Sequence, residues 1–207
     1  MTRRQIERFF RLMAEAASEP ATVIVTGAAA GSLWGHVRPS LDIDFALRPT
    51  SRHRRAWPNL EDAVEQATRL TGIRANYAED IDRWSSVSLL DYRRHARPFR
   101  RFGRLRVQLM DPAYWSIGKV SRYLDPDVRD LVAVLRRRRV APRPLVRLWA
   151  RAVRRSPRSP ALTQFCRQAE HFLRAYGRRI WGTAFHSERT IEEFRRALAA
   201  GHRRRLT

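Results

Sequence analysis

Apolar residues change their period along the chain, and each change marks an element. Val23-Ile24-Val25 is a short apolar run ending near a glycine, which reads as a buried strand. Leu41-Asp42-Ile43-Asp44-Phe45 alternates with period two, so a second strand is predicted with its carboxylates on one face and its apolar side chains on the other. Leu60, Ala63, Val64, Ala67 and Leu70 recur at helical spacing from Pro58 to Thr71, and Gly72 ends that helix. Strands are predicted at Ile73 to Tyr77, Trp84 to Leu90 and Leu105 to Met110, and a polar helix at Gln5 to Ala17. Further on, Asp111-Pro112 opens a helix through Tyr123, with Asp111 as its cap, and Asp125-Pro126 opens another from Asp127 to Leu135. Beyond it the period is helical throughout: Leu145, Leu148, Trp149, Ala152 and Val153, then Leu162, Phe165, Ala169, Phe172, Leu173 and Tyr176, then Ile191 to Ala200. The pattern predicts an α/β or α+β domain over 1–135, with a small mixed sheet and flanking helices, followed by an Arg-rich helical bundle over 136–207.

Candidate chemistry concentrates in residues 23–45. Gly27 turns the chain after the first strand, and the small residues Ala28, Ala29, Ala30 and Ser32 let backbone approach a bulky anion such as phosphate. Asp42 and Asp44 then project side by side, and two adjacent carboxylates repel unless a cation sits between them. Mg²⁺ takes one or two protein carboxylates plus substrate phosphate oxygens, so an acid pair near a phosphate cradle suits nucleotidyl transfer. Taken singly, a Gly-Ala-Ala-Ala stretch is an ordinary helix start and an Asp-x-Asp at a strand end is ordinarily solvated. The order strand, turn, helix, paired acids separates this segment from both. Gly27, Gly31 and Gly35 are spaced by four, which excludes a dinucleotide fingerprint, and no Gly-Lys-Ser/Thr is present for a Walker A loop.

This segment resembles the first motif of the nucleotidyltransferase superfamily that includes DNA polymerase β. The closer resemblance is to the bacterial abortive-infection toxin and minimal nucleotidyltransferase branch, carried by Gly27, Ala29, Gly35, Arg38, Ser40 and Asp42-Ile43-Asp44. Ala28 stands where a second Gly or a Ser is usual. It continues at Asp111-Pro112, Lys119 and Asp127-Val128-Arg129-Asp130-Leu131, covering roughly residues 20–135. The resemblance implies a nucleotidyltransferase-like fold and an enzyme that moves a nucleoside monophosphate from an NTP to a hydroxyl, on an RNA 3′ end such as that of tRNA or on a protein side chain. Mg²⁺ or Mn²⁺ would be held by Asp42 and Asp44, and nucleotide contacts would come from Gly27, Ala28, Ser32, Arg38, Lys119 and Asp130. A toxin with a cognate antitoxin is the implied setting. Family members carry a third carboxylate on a later strand. Gln108 is the central polar residue of the strand 105–110 and cannot fill that role, which leaves Asp111 at its end as the candidate. The alternative is a catalytically weakened protein of the same fold that binds nucleic acid or a partner protein.

Charge sharpens the second half. Of 42 basic side chains, 41 are Arg and the one Lys is Lys119, a compact point charge suited to phosphate. Asp127 and Asp130 share a helix face, where Arg129, Arg122 or the run from Arg136 could pair with them. Of the net charge of +22, +16 falls in residues 132–207, an excess that favours a phosphate backbone, RNA above all, with an acidic protein as the other class of partner. One cysteine, Cys166, excludes a disulfide framework and reads as a buried apolar side chain. Six histidines show no pair at ligand spacing, which argues against zinc. Trp57, Trp84, Trp115 and Trp181 read as core or interface anchors. No apolar run approaches membrane-spanning length and no signal-peptide core opens the chain, so the cytoplasm is expected.

Overall fold

The computed structural model describes residues 1–36, 38–50 and 55–200; His53 and the predicted basic tail Gly201 to Arg205 lie outside them. The chain divides into two compact units, Met1–Ile81 with Tyr92–Asp111, and Asp82–Asp91 with the chain from Pro112 onward.

The first unit is a five-stranded mixed sheet with helices. Its elements are α1 (Arg3–Ala16), β1 (Ala21–Val25), α2 (Gly27–Leu33), β2 (Asp42–Pro49), α3 (Ala56–Thr71), β3 (Arg74–Ala78), β4 (Arg97–Phe102) and β5 (Leu105–Leu109). Strand order is β3-β2-β1-β5-β4. β1 runs antiparallel to β2 and parallel to β5, while β3 lies parallel to β2. Alternation along β2 does what the sequence pattern implies: Ile43, Phe45 and Leu47 are fully buried, and Asp42 and Asp44 leave by the opposite face. Under the buried face, Phe9 and Phe10 of α1 meet Phe45, and Phe45 stacks on Tyr77 of β3 at 5.6 Å. Such aromatic pairs add about 0.5–1.5 kcal/mol each beyond area burial. They fix β2 and β3 side by side, and with them every polar residue on the other face.

Two sequence expectations fail here, each for a visible reason. Trp84 to Leu90 is not a strand. Ser85 and Ser88 accept the amide hydrogens of Val87 and Leu90, so local side-chain turns replace ladder bonds. Trp84, expected as an anchor, is 48% exposed. The strand missed is β4, whose Arg-Pro-Phe-Arg-Arg-Phe lacks apolar alternation because it forms a sheet edge; an edge tolerates Pro98, and the register slips between Pro98 and Arg100.

The second unit is helical: α4 (Pro112–Arg122), α5 (Asp125–Arg137), α6 (Pro142–Arg155), α7 (Pro160–Trp181) and α8 (Ser187–Ala199). Its core gathers Trp115, Trp149, Phe165, Phe172 and Phe194, with Trp149 Nε1 donating to Ser116 Oγ at 2.9 Å. α4 and α5 pack into this core, so the units part at 111/112, whereas the sequence pattern parts the chain at 135/136. Cys166 is half-buried rather than buried, and that burial, with the nearby Glu170 charge, pushes its thiol pKa up. Among the described residues no helix is long and apolar enough to cross a membrane.

Candidate functional site: an aspartate pair beside a glycine turn

The first strand ends at Val25, and the Thr26 amide bonds the Asp44 carbonyl at 2.8 Å, which pins the turn to β2. Gly27 follows with φ +61. A Cβ there would stand 1.9 Å from Asp44 Oδ2, so position 27 needs glycine for both its backbone conformation and the approach of the carboxylate. The close meeting of this turn with Asp44 is the central feature of the first unit.

Asp42 and Asp44 are partly exposed. Ser40 Oγ donates to Asp42 Oδ1 at 2.8 Å. From the neighbouring strand, Asn76 Nδ2 donates to Asp44 Oδ1 at 2.9 Å and to Asp42 Oδ2 at 3.3 Å. β3 runs parallel to β2 with Asn76 opposite Asp44, so one amide spans both carboxylates. Sequence reasoning missed Asn76. Its signal was present: Arg74 and Asn76 share a face of the strand predicted at Ile73 to Tyr77, but which strand neighbours β2 cannot be read from period alone.

That adjacency also corrects the third-acid expectation. β5, which carries Gln108 and leads into Asp111, pairs with β1 and not with β2. Strands lie about 4.8 Å apart, so β5 runs about 10 Å from β2. Asp111 is instead gripped by Arg97 of β4 at 2.6–2.7 Å. The residue flanking the pair on its own face is the neutral Asn76.

No family model, curated protein or solved structure matches this chain. The site therefore rests on its own geometry. Ala28 is buried in the first turn of α2, and Ser32 Oγ, also buried, has no hydrogen-bond partner. Such an orphaned hydroxyl costs about 1–3 kcal/mol. The Arg38 guanidinium donates to the Pro39 carbonyl at 3.2 Å.

Lys119 and Asp130 have a different place from the one expected. Lys119 is only 3% exposed, inside the second unit, with its ammonium 2.8 Å from Asp127 Oδ1 and 2.7 Å from Asp130 Oδ2. Arg122 adds two hydrogen bonds to Asp127, at 2.6 and 2.7 Å. Burial pushes the Asp127 carboxyl pKa up, but the hydrogen bonds and charges of Arg122 and Lys119 outweigh it and hold the group below its ordinary value. The ammonium expected to meet a triphosphate is thus the centre of a buried ion network joining α4 to α5. Asp130 is a partner in that network and not a nucleotide contact. Chain spacing hides this, because the turn at Tyr123-Leu124, with Tyr123 at φ 53, folds α5 back on α4 and brings residues eight and eleven positions on against Lys119.

Among the described residues, no group of three or more His, Cys, Asp or Glu has the arrangement of a metal site. The donor set at β2 is two carboxylates, hard oxygen ligands, toward which the Asn76 amide turns its NH2 group. The pair fits a cation such as Mg²⁺ that completes its shell with water and substrate oxygens.

Proposed function

We propose that this protein is a nucleotidyltransferase of the polymerase-β-like type, using Mg²⁺ or Mn²⁺ to move a nucleoside monophosphate from an NTP to a hydroxyl acceptor. What carries the reading is Asp44, packed on the Gly27 turn and tied with Asp42 to Asn76. A divalent ion bound there would neutralise charge on the phosphates and supply Lewis-acid polarisation. The chain's own contribution is positioning. Ser40 and Asn76 hold the two carboxylates in fixed orientations, and the side-chain-free Gly27 lets the Asp44 carboxylate pack directly on the turn. In the transfer, the acceptor oxygen forms a bond to the α-phosphorus, the bond to the bridging oxygen breaks with its electrons leaving on pyrophosphate, and the acceptor proton passes to solvent. Arg38 remains the candidate for neutralising developing charge, and an RNA 3′ end or a protein side chain the acceptor.

A second reading is a nucleotide- or partner-binding protein of the same fold, without turnover. Asn76 favours it, since an amide beside the pair cannot take the acceptor proton as a third carboxylate would. Incubating the protein with Mg²⁺, each α-labelled NTP and total RNA, beside Asp42→Ala/Asp44→Ala, separates the two. Label in RNA or protein, lost in the double variant, supports the enzyme; label in neither supports the binding protein.

A further inference from the structure

Helices α6 and α8 of the second unit pack through Leu145, Trp149, Ile191 and Phe194, all fully buried, and Arg154 of α6 donates to the Ala197 carbonyl of α8. Above that seam lies a groove of about 420 Å³ lined by Arg143, Arg147, Arg189, Glu193, Arg196 and Ala197. Glu193 sits low in it, with its side chain 15% exposed, and holds Arg147 at 2.8 Å and Arg143 at 3.4 Å. Those two guanidinium groups stay open to solvent, at 68% and 60% exposure. Four arginines and one carboxylate thus line the groove.

We infer that this groove binds the phosphate backbone of a nucleic acid. Arg143 and Arg147 follow one another on α6 four residues apart, about 6 Å of helix rise, and Arg189 and Arg196 of α8 line the groove beside them. A row of charges in that register meets successive phosphates of a chain, where a single phosphate meets one or two. Arginine offers a planar fork to each phosphate, giving paired charge-assisted hydrogen bonds. The lining also decides against an acidic protein. Protein interfaces centre on apolar or aromatic anchors and push charge to the rim, and the one apolar residue here is Ala197. Nucleic-acid interfaces are strongly basic and need no such anchor. The inference concerns a surface of the second unit and does not depend on nucleotidyl transfer in the first.

The test is fluorescence anisotropy of the full chain with a short labelled single-stranded RNA, without NTP or Mg²⁺, across about 50–200 mM salt. Log affinity should fall linearly with log salt, and each arginine contact should contribute about 0.7 to that slope. Arg147→Gln/Arg196→Gln is expected to reduce the slope by about 1.4 and weaken binding at low salt. The matched control Arg4→Gln/Arg8→Gln, on exposed positions of α1, should leave the slope nearly unchanged. Arg147→Lys/Arg196→Lys keeps the charge and should restore most of the slope, which guards against a folding defect. Equal losses in groove and control variants would overturn the inference, as would absence of RNA binding. So would displacement of a bound polyglutamate, but not of RNA, by the groove substitutions, an outcome that assigns the groove to an acidic protein.

Discussion

Two aspartate pairs in this molecule have been given opposite settings. Asp42 and Asp44 are partly exposed on a sheet face, where Ser40 and Asn76 give them neutral hydrogen bonds. Asp127 and Asp130 are at most 1% exposed, and Lys119 bridges them with Arg122 closing over Asp127. Hydrogen bonds from an amide or hydroxyl orient a carboxylate without cancelling its charge. Ammonium and guanidinium cancel it, and burial then demands that they stay. Pairing chemistry, more than the spacing of acids in sequence, separates the pair proposed to take up a cation from the structural one.

The largest effect expected from that contrast is at Lys119. Replacing it with Met removes the ammonium from between two buried carboxylates, and an uncompensated buried charge costs about 3–5 kcal/mol. Urea denaturation of Lys119→Met should show that loss, while Asp42→Ala/Asp44→Ala should shift stability by less than about 1 kcal/mol. A mild effect at Lys119 would return it to the list of candidate phosphate contacts. The same network sets a pH dependence. Since the folded Asp127 pKa lies below its ordinary value, its contribution is fully present above about pH 4 and is lost as pH falls through the folded value. Acid unfolding followed by circular dichroism should therefore begin at higher pH in Arg122→Gln, which withdraws two of the bonds that depress it.

A smaller loss is expected at Gly27. Alanine there must hold a left-handed backbone and keep its Cβ off Asp44 Oδ2, together costing about 2 kcal/mol. In an Asp44→Ala background the collision with Oδ2 disappears while the approach to the Cβ of residue 44 at 3.0 Å stays, so the cost should fall but remain above the backbone share of about 1 kcal/mol. A double-mutant cycle of urea midpoints measures the difference, and additive costs would mean the turn and the carboxylate do not touch.

How much of this could be read beforehand follows from which contacts are local. Alternation in Leu41 to Phe45 places both acids on one face, and the positive-φ glycine after Val25 is where a strand-turn-helix demands it. Those inferences use neighbours in sequence. Asn76 was missed because its role depends on β3 docking beside β2, and Asp111 was overvalued because β5 docks beside β1 instead. Lys119 was misread for the complementary reason. Its singularity among arginines is a fact of composition, whereas its partners are set by the turn at Tyr123-Leu124 and by burial, neither of which composition reports. In the Arg-rich half, the helical period gave every helix, but which arginines converge on a groove is fixed by the pairing of α6 with α8.

The smallest expected effect is also the most informative about the pair. Asn76→Asp puts a third carboxylate within hydrogen-bond reach of the other two. Without metal, three like charges on a partly exposed face repel and should lower stability by up to about 1 kcal/mol, less at high salt. With Mg²⁺ or Mn²⁺ the sign reverses, because affinity rises with the number of charged oxygen ligands, and the metal-induced rise in Tm should exceed that of the unaltered protein. Thermal melts in chelator and in a Mn²⁺ series read both limbs. An Asn76→Asp protein destabilised in chelator and indifferent to metal would mean that the two strands gather acids without forming a cation site, leaving the binding-protein reading as the better account of this fold.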